Sequence, residues 1–157
     1  MTTFATCLWF DDQAEPAAAF YTSLFDDARI VETMRYGKEA GDRADTVMTV
    51  VIALGDQRYT FLNGGTDFTL NEAASIEAHC ADQAEIDRLW EALTADGGSE
   101  GPCGWLKDRF GVSWQIVPAE FMEMLRDPDS AKVQRATQAM FQMKKLDIAA
   151  LREAFEG

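Results

Sequence analysis

Two amphipathic stripes dominate the hydrophobic pattern of this chain. Apolar residues recur at i, i+3, i+4 and i+7 in each stripe, at Ala17, Phe20, Tyr21 and Leu24 and again at Ile86, Leu89, Trp90 and Leu93. Apolar side chains at this spacing share one face of an α-helix. The pattern therefore predicts two helices of similar design, one in each half of the chain.

The same tetrapeptide precedes both stripes. Asp12-Gln13-Ala14-Glu15 recurs as Asp82-Gln83-Ala84-Glu85, a displacement of 82 − 12 = 70 residues. In each copy Asp and Glu stand three apart, so that Asp can accept from the first helical N–H groups while Glu reaches back, as in a capping box. The repeat favours an internal duplication in which Asp12 and Asp82 cap the two helices.

Strand-like stretches accompany the predicted helices. They are rich in β-branched and aromatic residues, are bounded by turn residues, and cover positions 29–36, 46–54, 58–62, 75–80 and 112–117. The polar and charged stretch 38–45 is predicted to be a mobile loop, and Pro118 ends the last strand. A short apolar run that could be a strand also precedes each tetrapeptide, and glycines between 97 and 104 divide the chain before residue 112 into short segments. Each half is thus predicted to run strand, helix, then two or three strands.

The tail from residue 119 onwards has a helical pattern. One predicted face carries Val133, Ala136, Met140 and Met143, and Asp147 is placed to cap a second stripe of Ile148, Leu151 and Phe155. The tail methionines, Met122, Met124, Met140 and Met143, can form an adaptable binding surface, but ordinary core or dimer packing is the favoured interpretation.

Composition indicates one globular domain. The 157 residues, 47% of them hydrophobic, are enough to build a core. The net charge of −13, from 14 basic and 27 acidic residues, would repel a phosphate backbone, which excludes nucleic acid as a partner. The N-terminus lacks the basic region of a signal peptide, and no apolar run approaches the roughly 20 residues of a membrane span. We therefore expect a cytoplasmic protein without a membrane partner.

Residues for nucleophilic or metal chemistry are sparse. Cys7, Cys80 and Cys103 form no C-x-x-C pair, which favours reduced, structural thiols. His79 is the only histidine, with Glu77 nearby, so one subunit cannot form a multi-histidine metal site and a cysteine nucleophile would have a single candidate base. The chain also lacks the G-x-S-x-G turn of serine hydrolases and a glycine-rich turn opening a helix for S-adenosylmethionine.

The segment 101–118 carries the strongest candidate binding chemistry. Trp105 and Trp114 each offer a flat apolar face and an N–H group, and Gln115 supplies a donor and an acceptor. This combination suits a small flat organic molecule, whereas composition alone favours core packing. Because the two tryptophans lie on opposite sides of a turn, they should not both face one ligand.

Together with the duplication, this segment resembles the PhnB-like branch of the vicinal oxygen chelate superfamily, the group of glyoxalase I and the bleomycin-resistance proteins. The resemblance covers nearly the whole chain, and many members carry the label demethylubiquinone methyltransferase. It is carried by Cys7-Leu8-Trp9-Phe10 with Phe20-Tyr21, by Leu62-Asn63-Gly64-Gly65, by residues 75–80 with Asp87-Arg88-Leu89-Trp90, and by Gly104-Trp105-Leu106-Lys107-Asp108 with Trp114-Gln115-Ile116-Val117-Pro118.

The resemblance implies an α+β fold of two βαβββ modules. The modules would cover about residues 1–65 and 70–118 of a paired domain 1–118, followed by a C-terminal helical extension, residues 119–157. Each module would form half a cup, usually completed across a homodimer. In metal-using relatives the ligands lie on the first and last strands, which here fall at Ala5 (or Thr6), Ser75, near Asn63 and Gln115. None of these side chains is a confident ligand for a divalent metal.

These considerations predict a metal-independent small-molecule binding protein that uses no cofactor. Its cup would be lined by Trp9, Asn63, Ser75, Trp105 and Gln115. One alternative is a metal-dependent lyase or dioxygenase of the same superfamily, which the missing ligands disfavour. The other is a dimeric interaction module whose cup is filled by its own side chains, and only a measured cavity separates it from the first.

Overall fold

A computed structural model describes all 157 residues, which form two compact units, Met1–Leu70 and Asn71–Gly157. Each unit contains a four-stranded sheet and a helix between its first two strands. The tail helices belong to the second unit. None of the helices has both the length and the apolar composition needed to cross a membrane.

The first unit is a βαβββ module. Its elements are β1 (Thr6–Phe10), α1 (Ala14–Leu24), β2 (Arg29–Arg35), β3 (Val47–Leu54) and β4 (Gln57–Asn63). The strand order is β1-β4-β3-β2, with β1 parallel to β4 and the other pairs antiparallel. Strand β2 therefore lies at an edge of the sheet.

The second unit repeats this topology. Its elements are β5 (Ile76–Cys80), α2 (Gln83–Thr94), β6 (Ser99–Glu100), β7 (Trp105–Lys107) and β8 (Ser113–Pro118), followed by α3 (Ala119–Met124), α4 (Ser130–Met140) and α5 (Ile148–Glu156). The order β5-β8-β7-β6, with β5 parallel to β8, matches the first sheet. The predicted α+β fold of two βαβββ modules with C-terminal helices is confirmed.

In each unit the helix packs on one face of the sheet and covers it. In the first unit, Tyr21 of α1 meets Phe61 of β4 edge-on, with ring centroids 5.6 Å apart. In the second, the predicted stripe on α2 is buried, and so are Trp114 and Ile116 of β8. Because strand residues alternate between faces, the intervening residues of β8, including Gln115, lie on the opposite face.

The two helices are capped in different ways. Asp82 caps α2, since its side chain accepts from the Glu85 N–H group at 2.9 Å, as predicted. The prediction for Asp12 is wrong: α1 has Gln13 at its N-cap, without a side-chain cap from that residue. Instead the Ala14 N–H group donates to Asn63 Oδ1 at 2.8 Å. A residue 49 positions away thus does what the local pattern assigned to Asp12.

The stretch predicted as a mobile loop contains short helical structure. Residues Lys38–Arg43 form 3₁₀ turns that kink at Gly41, where φ is 61°. Hydrogen bonds from Tyr36 N–H to Thr46 O (2.9 Å) and from Asp45 N–H to Tyr36 O (3.0 Å) close the segment at its base. Such short turns bury no apolar stripe, so hydrophobic periodicity does not reveal them.

The tail helices build a hydrophobic cluster of their own against the end of β8. Val117, Phe121, Ala136, Leu151 and Phe155 are buried in it, and Met122, Met140 and Met143 pack against it partly buried. Asp147 caps α5 by accepting from the Ala150 N–H group at 2.9 Å, as predicted. The tail methionines therefore pack, in agreement with the favoured interpretation.

Candidate functional site

The second sheet carries a row of functional groups on its open face, which we define as the face bearing Glu77, Trp105 and Gln115. Strand register pairs Glu77 with Gln115 and Gln115 with Trp105, so the three residues are neighbours across β5, β8 and β7. Gln115 Nε2 donates to Ser75 Oγ at 2.9 Å. The structure therefore brings together three of the predicted site residues, Ser75, Trp105 and Gln115.

A groove of about 480 Å³ lies on this open face. Glu77, Trp105 and Gln115 line it from the sheet. The opposite wall comes from the tail and is apolar, with Phe121, Met122, Leu125, Met140, Phe141 and Leu146. An apolar groove of this size with a few polar groups on one side is typical of small-molecule sites.

The turn at Pro102, Cys103 and Gly104 fastens the tail beside the groove. The N–H groups of Cys103 and Gly104 donate to the carbonyl oxygens of Met143 (2.8 Å) and Lys144 (2.7 Å). Gly104 has a φ of 82°. A Cβ there would lie 2.9 Å from the Ile116 carbonyl oxygen, so only glycine suits both the conformation and the close approach. This turn holds the apolar wall against the sheet.

The two tryptophans of the motif serve different faces. Trp105 is partly buried and lines the groove. Trp114 is completely buried on the face covered by α2, and its Nε1–H group donates to Asp108 Oδ2 at 2.9 Å. The expectation that they do not both face one ligand agrees with this arrangement.

A second cavity of about 470 Å³ adjoins the groove. Trp105 and Pro102 line both, and Ser99 and Glu100 of β6 line only the second. Lys107 also lines the second cavity, but its ammonium group is paired with the Glu72 carboxylate. Trp105 is therefore the aromatic wall common to two neighbouring cavities.

Trp9 and Asn63 have structural contacts in the first unit. Trp9 Nε1–H donates to the Gly65 carbonyl oxygen at 2.7 Å, and the indole meets the Phe68 ring edge-on with centroids 5.0 Å apart. Asn63 is buried, and its Nδ2 group donates to the Val47 carbonyl oxygen at 3.1 Å while Oδ1 caps α1. Ligand contact by Trp9, Asn63, Ser75, Trp105 and Gln115 stays a prediction.

The positions of the metal ligands in metal-using relatives do not suit a divalent cation here. Ala5 offers no side-chain donor atom, both ends of the Asn63 amide are hydrogen-bonded within the protein, and Gln115 offers only a neutral amide oxygen. The chain contains no group of three or more His, Cys, Asp or Glu residues arranged to hold a metal ion. Amide and hydroxyl groups alone do not replace imidazole, carboxylate or thiolate ligands.

Cys7 and Cys80 are poorly placed for nucleophilic catalysis. His79 Nε2 lies 2.6 Å from Glu77 Oε1 on an exposed part of β5. Cys80 follows it and is buried, and because side chains alternate along a strand it points to the other face. Burial, reinforced by the Glu85 carboxylate, raises the pKa of Cys80 to about 12, so it stays a thiol at neutral pH. Burial also raises the pKa of Cys7.

The tail wall of the groove is the part of the site that the sequence interpretation missed. Met122 and Met140 were assigned to packing, yet they line the groove as well. A usable signal was present in the apolar residues that fall outside the stripes. Leu125 and Phe141 are 39% and 61% exposed, and both lie in the groove wall.

The chain is similar to a known protein family and to solved structures. Residues 2–117 match the family model described as 3-demethylubiquinone-9 3-methyltransferase. The PhnB protein of Bacillus cereus is 32% identical, with 75% of this chain and 100% of that chain covered and a TM-score of 0.66. A search of curated proteins finds no match.

Two more distant structures share the fold. A protein of Pseudomonas aeruginosa is 21% identical, with 73% of this chain and 95% of that chain covered and a TM-score of 0.61. The fosfomycin resistance protein FosX of Mesorhizobium loti is 15% identical, with 80% and 98% covered and a TM-score of 0.55. At these identities the similarity concerns the fold alone.

Proposed function

Because this chain belongs to the PhnB-like family described as 3-demethylubiquinone-9 3-methyltransferase, within the vicinal oxygen chelate superfamily, we propose that it binds a small organic molecule without a metal ion. The groove on the open face of the second sheet supports this proposal most directly. Its apolar wall supplies contact area, and Glu77 and Gln115 supply polar groups that orient a ligand.

Methyl transfer, which the family description names, has less support in this chain. A nucleotide-type methyl donor is usually held by a glycine-rich turn between a strand and a helix. Gly64-Gly65 follow β4 and Gly97-Gly98 follow α2, and neither pair opens a helix. We therefore propose binding as the role of the groove.

The proposal predicts saturable binding of N-phenyl-1-naphthylamine, an uncharged apolar fluorophore, with one site per chain. Fluorescence titration should give the same affinity before and after dialysis against a chelator. Trp105→Ala should weaken binding about tenfold, since an aromatic wall contributes roughly 1–1.5 kcal/mol. Phe4→Ala, which removes an exposed aromatic ring from the first unit, is the matched control and should have no effect. Loss of binding after chelation, or equal effects of the two variants, would contradict the proposal.

We also propose that the protein is a homodimer and that β2 contributes to the interface. All residues of this edge strand are exposed, among them Ile30 (49%), Val31 (39%) and Met34 (41%). Apolar side chains on an unpaired strand edge invite pairing with another chain unless they are covered. A second copy of the same strand is a partner with matching apolar groups.

Light scattering on a sizing column should accordingly give twice the mass of one chain. Val31→Lys places a charge on the exposed edge and should shift the protein to the monomer. Phe4→Lys introduces the same charge at another exposed apolar position and should leave the dimer intact. A monomeric parent protein, or dissociation by Phe4→Lys alone, would refute this interface.

A further inference from the structure

The charge distribution of the groove restricts the kind of molecule that it accepts. Glu77 is the only charged residue in its lining, and no lysine, arginine or histidine lines it. The protein as a whole carries a net charge of −13. A negative field of this kind raises the local concentration of cations and lowers that of anions.

Two residues that line the groove each have a side-chain acceptor atom that makes no hydrogen bond within the protein. Glu77 Oε1 is paired with His79, whereas Oε2 makes no hydrogen bond or ion pair. Gln115 uses Nε2 for its bond to Ser75 and leaves Oε1 without a partner. Since the two residues face each other across β5 and β8, both acceptors can serve one donor group. An ammonium group, with several N–H bonds and no acceptor, complements such a pair.

The rest of the lining suits the body of such a cation. Trp105, Phe121 and Phe141 offer aromatic rings, whose faces attract cations, and Met122 and Met140 offer polarisable sulfur atoms on flexible chains. No fixed positive charge competes for these surfaces within the groove.

We propose that the groove selects protonated amines that carry an apolar or aromatic body, with Glu77 as the counter-ion and Gln115 as a second acceptor. This inference rests on the proposed binding function and adds the chemical class of the ligand. The ammonium N–H groups, rather than positive charge alone, are what the two free oxygen atoms require. A primary amine should therefore bind more tightly than its quaternary analogue.

Calorimetric titration with four naphthalene probes tests the inference on the intact protein. They are the primary cation 1-naphthylmethylammonium, its quaternary trimethyl analogue, the neutral 1-naphthylmethanol and the anionic 1-naphthaleneacetate. The cation should bind about tenfold more tightly than the alcohol, a difference of 1.4 kcal/mol, and the anion most weakly. Quaternary 1-naphthylmethyl-trimethylammonium should fall between the primary cation and the alcohol. Added salt should weaken the binding of the cationic probes only.

Glu77→Gln should reduce the affinity of the cation to that of the alcohol while the affinity of the alcohol stays the same, which also shows that the groove is still folded. Glu91→Gln is the matched control, because it makes the same change of net charge at an exposed position on α2. Equal binding of cation and alcohol by the parent protein would overturn the ligand class and leave the binding function standing. An equal loss in Glu91→Gln would overturn the role of Glu77, and failure of all probes to bind would overturn the binding function itself.

Discussion

Replacing Asp108 with alanine is expected to lower the free energy of unfolding by about 3–5 kcal/mol. The carboxylate is buried, with 2% of the residue exposed. Its Oδ1 atom accepts from the N–H groups of Phe110 (2.9 Å) and Val112 (3.1 Å), and Oδ2 accepts from Trp114 Nε1–H (2.9 Å). Alanine would remove the acceptor of all three N–H groups, and because those of Val112 and Trp114 are buried, the cost exceeds that of losing an exposed hydrogen bond. Unfolding in denaturant, followed by far-UV circular dichroism, measures the change.

Two further variants make this prediction specific. Asp42→Ala removes an exposed aspartate and should change stability by no more than about 0.5 kcal/mol. Asp108→Asn keeps an acceptor oxygen but turns an amide donor towards N–H groups, so its cost should lie between the two alanine variants. Equal unfolding midpoints for Asp108→Ala and Asp42→Ala would refute the structural role of this carboxylate.

The contacts of Asp108 show that residues of the segment 101–118 have different roles. A buried acidic residue beside two tryptophans is easily taken for an acid–base catalyst. Here the carboxylate closes the turn 108–112, where Asp108 N–H also donates to the Val112 carbonyl oxygen at 2.9 Å, and it anchors Trp114. The groove is served instead by Trp105 and Gln115. In this segment Asp108 and Trp114 therefore stabilise the fold, whereas Trp105 and Gln115 line the groove.

Replacing Asn63 with alanine is expected to cost about 2–3 kcal/mol. The substitution removes the cap of α1 and leaves both the Ala14 N–H group and the Val47 carbonyl oxygen without their side-chain partner. The expected free-energy cost is the sum of two contributions, the loss of a helix cap and the loss of a buried hydrogen bond. Denaturant unfolding gives the total, and faster hydrogen exchange of the Ala14 amide would locate it at the start of α1.

The duplicated tetrapeptide supplies the controls for Asn63. Asp12→Ala should be nearly neutral, because this carboxylate does not cap α1. Asp82→Ala should cost about 1 kcal/mol, since Asp82 does cap α2. A larger effect of Asp12→Ala than of Asn63→Ala would show that the local cap operates in the first unit after all.

The two modules differ in how much of their helix structure the local sequence pattern predicted. The tetrapeptide and its stripe predicted where both helices begin and which face of α2 is buried, because a helix is made from contacts between residues three and four apart. The cap of α1 was mispredicted because Asn63 arrives from β4 through strand pairing, where it lies opposite Phe10. Nothing near Asp12 in the chain signals this competition.

The sequence by itself indicated the strand–helix–strands plan of each half, the duplication and the family resemblance, because these depend on periodicity, caps and motifs within short stretches. It also singled out Trp105 and Gln115. It did not delimit the short strands β6 and β7. Only the tertiary structure decided that Trp114 is anchored by Asp108, that Asn63 caps a helix, and that the tail forms one wall of the groove. The physical reason is that a cavity is made by residues distant in the chain. Pairs such as Ser75 and Gln115, 40 positions apart, meet only after strand register and the packing of the tail have been established.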